Sequence, residues 1–232
     1  MFSAALFRAA KQMAQANPYD LIVADYGLCG LYGLLLARRF KIPLLYSSHN
    51  VEYRSSLDKS KTDLRRLPLA AYLFAVERLV AKHADVVVVT TDSDAARYLM
   101  WRPHKPVLAI PQGIDERAFN ANYTHSTNTK KRILFCGNFS VPFNRDVITV
   151  VEKLILPALV EHWPNVIFEF IGAGAPAKTH DPRMQFLGFR DDYPGQLKAA
   201  DIVISPMLRG QGFPTKIIEA LACGKPTVAT ET

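Results

Sequence analysis

The chain has 232 residues, of which 49% are hydrophobic and 21% are charged. This length and composition predict a globular protein with one large or two small domains, and they exclude a disordered chain. The net charge is +7, of which +5 belongs to residues 1–126, but no DNA- or RNA-binding motif accompanies it, so we expect no nucleic-acid partner.

Three features of the sequence bear on the location of the protein. The first residues predict an amphipathic helix, and Arg8 and Lys11 interrupt the apolar stretch that a signal peptide needs. The apolar side chains on one face of that helix are Phe2, Leu6, Ala9 and Met13. No apolar run reaches the roughly 20 residues of a membrane span. Cys29, Cys136 and Cys223 are too widely spaced for a disulfide framework or a zinc site, which favours a reducing, cytoplasmic location.

The first half of the chain alternates short apolar runs with helical stretches. The predicted strands are Leu21–Ala24, Pro43–Ser47, Val86–Val89 and Val107–Pro111, and the predicted helices lie near residues 28–40 and 65–83. Continuous apolar runs of this length are typical of strands buried on both faces of a parallel sheet. Strands separated by helices predict a doubly wound α/β domain.

A basic stretch precedes the second of these helices. It consists of Arg54, Lys59, Lys61, Arg65 and Arg66. One interpretation is a solvated charged face, which is what most such runs form. The other is attraction to a phosphorylated acceptor or to anionic lipid, and hence a peripheral contact with an anionic membrane.

The second half repeats the alternation after a polar segment. Residues 115–130 lack periodicity and predict a linker. The strands that follow are Ile133–Cys136, Val166–Phe170, Met184–Leu187 and Ile202–Ser205, with helices near residues 145–162 and 193–200. The fold class is therefore α/β, with two Rossmann-like domains at residues 1–126 and 131–232. Ligands of such sheets bind outside the carboxyl ends of the strands.

A glycine-containing loop, Gly210–Thr215, joins the last of these strands to a helix that ends at Gly224 and Pro226. A loop that leads into a helix start presents unpaired N–H groups and the positive end of the helix dipole, which suits a phosphate. Glu219, about two turns into the helix, could accept hydrogen bonds from the hydroxyls of a ligand. Arg209 and Lys216 flank the loop and suit phosphate recognition, although Lys216 could also be a solvated helix residue.

Two weaker motifs carry little weight. Gly172-Ala173-Gly174 follows a strand, but the third glycine of a dinucleotide fingerprint is absent, so NAD is not predicted. Asp191 and Asp192 lack the spacing of a metal site. We therefore predict no metal and no cofactor.

The stretch Gln211-Gly212-Phe213-Pro214, followed by Glu219, resembles the donor-site signature of retaining GT-B glycosyltransferases, family 4 in particular. Gln211 stands where the family usually has glutamate, and Pro214 stands where it usually has glycine. Five further segments resemble the family in the same order: His49–Glu52, Ile110–Asp115, Gly137–Asn144, Ile171–Pro176 and Phe186–Asp191.

The resemblance implies a GT-B fold, in which two Rossmann-like domains face each other across a cleft. It implies transfer of a sugar, with retention and without a metal, from a nucleotide-diphosphate-sugar to a hydroxyl of a carbohydrate, lipid-linked or small-molecule acceptor. The family also has a strand before the position of Met1 and helices after that of Thr232, so both domains are expected to be partial.

The resemblance also assigns site residues. His49 is the expected catalytic residue, and Asn50 and Glu52 are expected on the acceptor side. No second carboxylate is placed by the sequence to face Glu52. The expected donor-binding residues are Gly137, Asn138, Arg190, Arg209, Gln211, Gly212, Phe213, Pro214, Thr215, Lys216 and Glu219.

Two alternatives stay open at this point. One is a catalytically impaired remnant that binds a nucleotide-sugar or a partner, which the substitution at Gln211 favours. The other is a nucleotide-sugar 2-epimerase, which shares the same architecture.

Overall fold

The computed structural model of the chain describes residues 3–60, 63–119, 130–176, 181–209 and 215–230. These residues form two compact units, the first within Met1–Gln112 and the second within residues 113–232. Both units are α/β with parallel sheets, as the sequence predicts.

The first unit has four short strands and five α-helices among its described residues. In chain order they are α1 (Ala4–Ala16), β1 (Ile22–Asp25), α2 (Gly27–Phe40), β2 (Leu44–Ser48), α3 (Glu52–Ser60), a 3₁₀ turn (Leu64–Arg66), α4 (Leu67–His83), β3 (Val86–Val89), α5 (Asp92–Trp101) and β4 (Val107–Ala109). The sequence analysis missed α3 and α5. Both are short and polar, and their periodicity is weak because only two residues of each are buried.

The strands of the first sheet follow the order β1-β2-β3-β4. The order does not reverse within the described residues, so the prediction of a doubly wound first domain is not met there. The prediction that both faces are buried is also wrong for this sheet. Tyr46 and Val87 are fully buried, whereas their neighbours Leu45 and Val88 are only half-buried, because one core cluster packs on one face.

The second unit contains five strands among its described residues. Its elements are α6 (Glu116–Phe119), β5 (Arg132–Cys136), α7 (Pro142–Val150), a π-helical turn (Val151–Ile155), α8 (Leu156–Val160), β6 (Ile167–Ile171), β7 (Met184–Gly188), α9 (Tyr193–Ala199), β8 (Ile202–Ser205), α10 (Thr215–Ala222) and β9 (Thr227–Ala229). The helix predicted near residues 145–162 is thus interrupted by a π turn. The stretch predicted as a linker begins with α6, whose Phe119 packs edge-on against Tyr193 of the same unit at 6.1 Å.

The second sheet has the order β7-β6-β5-β8-β9 and is doubly wound. Its strands β5, β6 and β8 bury nearly every residue, because separate core clusters pack on the two faces. The order reverses between β5 and β8, so the connections that leave these strands diverge to opposite faces. Ligands of doubly wound sheets bind at this switch point, beyond the carboxyl ends of the strands.

Candidate functional site

The carboxyl edge of the first sheet holds an imidazole between two polar side chains. His49 follows β2, and its Nε2 lies 2.8 Å from Oδ1 of Asp25, the last residue of β1. Because a carboxylate can only accept, Nε2 carries the proton. Nδ1 then accepts from Gln112 Nε2 at 3.5 Å, which is a long hydrogen bond. Burial alone would raise the pKa of Asp25, but hydrogen bonds from Ser47 and His49 lower it overall.

Tyr26 forms one side of this arrangement. Its ring stacks on the His49 ring, with centroids 4.4 Å apart and planes at 15°. The backbone of Tyr26 has φ 65 and ψ 152, a region that residues other than glycine rarely adopt. Its N–H donates to the Ser47 carbonyl at 3.0 Å, which holds this strained conformation against β2. The imidazole is therefore fixed in position by both its ring nitrogens and its face.

Glu52, expected on the acceptor side, binds within the unit. Its Oε1 accepts from the N–H of Gly27, the first residue of α2, at 3.1 Å. A carboxylate at a helix start is stabilised by the unpaired N–H groups and the helix dipole. Burial raises the pKa of Glu52, although the hydrogen bond from the Gly27 N–H opposes this.

The structure places a second carboxyl group against Glu52, contrary to the expectation that none faces it. Glu77, on α4, is fully buried, and its Oε1 accepts from the Glu52 N–H at 2.8 Å. Its Oε2 lies 3.4 Å from the N–H of Tyr53. Burial raises the pKa of Glu77 to about 8. Glu77 therefore caps α3, and the two carboxyl groups fix the helix starts on either side of His49.

Asn50 contributes its backbone to the same loop. Its carbonyl accepts from Ser48 Oγ at 2.8 Å, and the same hydroxyl lies 2.9 Å from Tyr98 Oη. The carbonyl of His49 accepts from Thr90 Oγ1 at 3.1 Å. These bonds hold the loop after β2 to α5 and to the residue that follows β3. We call Asp25, Tyr26, His49, Glu52 and Glu77 the His49 cluster.

The carboxyl edge of the second sheet carries the loop predicted to bind a donor. Gly137 follows β5, and a Cβ there would lie 2.9 Å from Asn144 Cγ, so the position needs glycine. Asn138 is exposed, and its Oδ1 accepts from the Ser140 N–H at 2.9 Å. The Phe139 N–H donates to the Ala173 carbonyl at 2.8 Å, so the loop after β6 supports the loop after β5.

Lys216, at the start of α10, extends towards this loop. Its Nζ donates to Asn144 Oδ1 at 3.3 Å and lies 4.4 Å from the centre of the Phe135 ring. Burial lowers the pKa of Lys216, an effect that Cys136 and Glu219 oppose. The solvated alternative is therefore wrong, because the amine is half-buried and directed to the switch point of the sheet.

Glu219 lies three residues after Lys216, on the same face of α10. Its Oε2 accepts from Tyr193 Oη at 2.8 Å. Burial strongly raises the pKa of the Tyr193 hydroxyl, so the tyrosine remains a donor and the carboxylate an acceptor. We call Asn138, Asn144, Tyr193, Lys216 and Glu219 the Lys216 cluster.

The remaining predicted donor residues fall into three groups. Arg209 is paired with Asp146, at 2.7 Å from Nη2 and 3.1 Å from Nε to the same Oδ2. Arg190 is exposed, and Thr215 is the exposed first residue of α10. Gln211, Gly212, Phe213 and Pro214 lie outside the described residues.

The sequence pattern assigns no role to five side chains that the structure brings to these sites: Asp25, Tyr26, Glu77, Asn144 and Tyr193. Asp25 ends a predicted strand, so its position at the carboxyl edge was available as a signal. Glu77 and Tyr193 lie 25 and 26 residues from the glutamates that they contact, and no local pattern relates such positions. Within the described ranges, no three His, Cys, Asp or Glu side chains form a group that could hold a metal ion.

Comparison with known protein families gives two matches. Residues 130–232 match the family described as "Glycosyl transferases group 1", and residues 1–113 match the "Glycosyl transferase 4-like domain". Together these ranges cover nearly the whole chain.

Curated relatives include D-inositol 3-phosphate glycosyltransferases. That of Corynebacterium glutamicum is 24% identical over an alignment 248 positions long, gaps included, which covers 91% of this chain and 56% of the relative. That of Salinispora tropica is 26% identical over an alignment 261 positions long, which covers 98% of this chain and 53% of the relative. The chain therefore spans a little over half the length of these relatives.

Solved structures with the same fold include Anabaena HepE in complex with UDP, with a TM-score of 0.71 and 21% identity. The match covers 97% of this chain and 63% of that one. Sucrose-phosphate synthase from Thermosynechococcus elongatus has a TM-score of 0.69 and 23% identity, and the match covers 97% and 59% of the two chains. These similarities show the GT-B fold.

Proposed function

Because the chain belongs to the group 1 glycosyl transferases, we propose that it transfers a sugar from a nucleotide-diphosphate-sugar to an acceptor hydroxyl, with retention at the anomeric carbon. The observation that carries the proposal is the face of α10, where Lys216 and Glu219 lie three residues apart at the switch point of the second sheet. A cation and a carboxylate with this spacing suit the two polar parts of the donor, its diphosphate and its ribose diol.

The donor would bind along this face. The ammonium of Lys216 and the N–H groups at the start of α10 favour the diphosphate, while Glu219 accepts from the ribose hydroxyls. Glu219 can do so while Tyr193 occupies Oε2, because Oε1 and the second lone pair of Oε2 remain. UDP is the first nucleotide to test, since it is bound by HepE, which has the same fold.

In the reaction, the bond between the anomeric carbon and the diphosphate oxygen breaks, and a bond from the acceptor oxygen forms. Negative charge grows on the leaving diphosphate, so a fixed ammonium and helix N–H groups stabilise the transition state without a metal. The acceptor hydroxyl passes its proton to the departing diphosphate oxygen as it attacks.

His49 would act on a substrate hydroxyl. Its Nε2–H is committed to Asp25, whereas among the described residues Nδ1 has only the long 3.5 Å bond from Gln112. A substrate hydroxyl that displaces the Gln112 amide would donate to Nδ1. Glu52 positions the His49 loop, since its carboxylate already binds the start of α2. Asn50 would contact the acceptor from the same loop.

A peripheral contact with anionic lipid belongs to the same proposal. Leu64, Leu67 and Leu69 are 73%, 44% and 45% exposed, beside the exposed Arg65 and Arg66. Apolar side chains that enter the headgroup region and cations that attract anionic lipid are the two features of interfacial binding. No helix among the described residues has the length and apolar character needed to cross a bilayer.

The test combines binding and turnover by the full chain. Calorimetric titration with UDP, GDP and ADP identifies the nucleotide, and incubation of the matching sugar nucleotide with candidate acceptors follows. The proposal expects diphosphate release that requires an acceptor, persists with EDTA, and gives a product whose anomeric proton coupling matches that of the donor. Binding without turnover would favour the impaired remnant, and an epimerised free sugar nucleotide, formed without an acceptor, would favour the 2-epimerase. Binding of none of the three diphosphates would contradict the donor site.

A further inference from the structure

The loop after β5 and the helix after β8 meet at one buried amide. Asn144, on α7, is 6% exposed. Its Nδ2 donates to the Asn138 carbonyl at 2.9 Å, and its Oδ1 accepts from Lys216 Nζ at 3.3 Å. Gly137 leaves room for it, because a Cβ there would lie 3.1 Å from Asn144 Oδ1. One side chain thus touches both segments that would surround a bound diphosphate.

Within the part of the chain that the structure describes, no carboxylate forms a direct ion pair with Lys216, so its charge is oriented without being neutralised. The near neighbours of Nζ are an amide oxygen and the face of the Phe135 ring, both of which are uncharged. Arg209 differs, because its guanidinium bonds twice to the carboxylate of Asp146. A cation that is oriented by neutral groups keeps its attraction for an anion, whereas a paired cation must first lose its partner.

We propose that Asn144 is a positioning residue of the donor site, which fixes the Lys216 ammonium relative to the Gly137–Asn138 loop so that both bind one diphosphate. This inference rests on the proposed function. It assigns the preorganisation of the site to a residue that would not itself touch the substrate. An ordered ammonium strengthens phosphate binding because its rotamer freedom is lost in advance.

A double-mutant cycle on nucleoside-diphosphate affinity tests this role. Asn144→Ala should weaken binding of UDP, or of whichever diphosphate the wild type binds, by about tenfold. In a Lys216→Met background the same change should cost about twofold or less, because the ammonium that it positions is gone. Equal losses in both backgrounds would overturn the proposal.

The matched control is the neighbouring residue on α7. Arg145 also holds the β5 loop, donating from Nε and Nη2 to the Phe139 carbonyl at 3.2 and 3.0 Å, but no bond joins it to Lys216 among the described contacts. If Asn144 acts only by holding the loop, then Arg145→Met, like Asn144→Ala, should weaken diphosphate binding less in the Lys216→Met background than in the wild type. We expect the effects of Arg145→Met and Lys216→Met to be additive.

A near-isosteric variant separates positioning from folding. Asn144→Asp keeps the shape and the acceptor but replaces the Nδ2 donor to the Asn138 carbonyl and places a carboxylate beside Nζ, so it should weaken diphosphate binding by at least tenfold, and a melting curve measures separately what the lost donor costs in stability. Retained affinity in Asn144→Asp would contradict the proposal.

A readout without ligand distinguishes this inference from the proposed function. Acetylation of Lys216 by acetic anhydride, followed by mass spectrometry, should be slow in the wild type, several-fold faster in Asn144→Ala and unchanged in Arg145→Met. If the wild type binds no diphosphate but the rates follow this order, the proposed function fails while Asn144 still positions Lys216. Equal rates in all three proteins would overturn the role of Asn144.

Discussion

The strands of both sheets have the same pattern of short apolar runs, but the two sheets differ in how many of their faces are covered by packed helices. In the second, β5, β6 and β8 bury nearly every residue, because a core cluster lies on each face. In the first, β2 and β3 alternate between buried and half-buried residues over one core cluster. An apolar run therefore identifies a strand, whereas the number of covered faces depends on which helices pack against it.

The carboxyl edges of the two sheets also differ, in whether their polar side chains are occupied by bonds within the protein. In the His49 cluster the carboxyl groups of Glu52 and Glu77 bind helix starts, so they serve to fix a loop. In the Lys216 cluster the cation is held by neutral groups and the carboxylate by a single hydroxyl, so both keep capacity for a ligand. We infer that the polar groups at the first edge mainly hold a loop in place, whereas those at the second edge are prepared for an anionic substrate.

The largest effect that we expect is a dependence of the stability of the first unit on pH, caused by Glu77. The pKa of Glu77 is raised by burial from its ordinary 4.5 to about 8, and the charges of Glu52 and Asp94 add to this. Between those values the folded state holds a proton that the unfolded chain has released, so stability is lost as the pH rises. The free energy of unfolding of the first unit should fall by up to about 1.4 kcal/mol per pH unit.

Glu77→Gln keeps a carbonyl acceptor for α3 and should abolish this slope. In a Trp163→Phe background, Trp101 is the one remaining tryptophan, and it packs against the core of the first unit. Its fluorescence during chemical denaturation at several pH values therefore reports that unit. A slope that persists in Glu77→Gln would mean that another group titrates.

The second prediction concerns Glu219, the carboxylate proposed to bind the ribose of the nucleotide-sugar. Glu219→Gln should weaken binding of the donor diphosphate by roughly one to two powers of ten, because charge-assisted hydrogen bonds contribute about 1.5–3 kcal/mol. Gln still accepts from Tyr193, so the melting temperature should change little. Calorimetric titration and a melting curve for both proteins are the measurements. A lowered melting temperature with unchanged affinity would assign Glu219 a structural role.

A smaller effect is expected at Tyr193. Tyr193→Phe removes the hydroxyl that orients Glu219 Oε2 at 2.8 Å while keeping the ring that packs on Phe119. Diphosphate affinity should fall by about three- to tenfold, since a neutral hydrogen bond contributes about 0.5–1.5 kcal/mol. In the Glu219→Gln background the further loss should be smaller, and a full additional loss would show that Tyr193 contacts the ligand independently.

The smallest expected effect is binding to membranes, which concerns the first unit. The protein should sediment with vesicles that contain anionic lipid at low salt and much less at high salt, because exposed charges are screened. Leu64→Asn should weaken sedimentation at low salt, whereas Leu154→Asn, in the second unit at a similar exposure of 67%, serves as the control. Binding that resists salt would exclude an electrostatic mechanism.

The sequence by itself determined the elements that depend on local pattern. The eight predicted strands all lie within one or two residues of observed strands, since apolar runs between turns and helices fix them locally. The resemblance of ordered motifs likewise identified the family and the fold, which the comparisons confirm. The ninth strand, β9 (Thr227–Ala229), was missed because only two of its residues are apolar, whereas β4, which is equally short, begins a longer apolar run.

Only the tertiary structure decided what each polar side chain contacts. Glu52 binds the start of α2, and Glu77, on another helix, caps α3. Asn144 joins a loop to a lysine 72 residues away. Such pairs form where different helices meet at the edge of a sheet, so their spacing along the chain follows connection length rather than any period. The number of buried faces of the first sheet could not be predicted for a similar reason. The composition of a strand does not specify which helices pack on it.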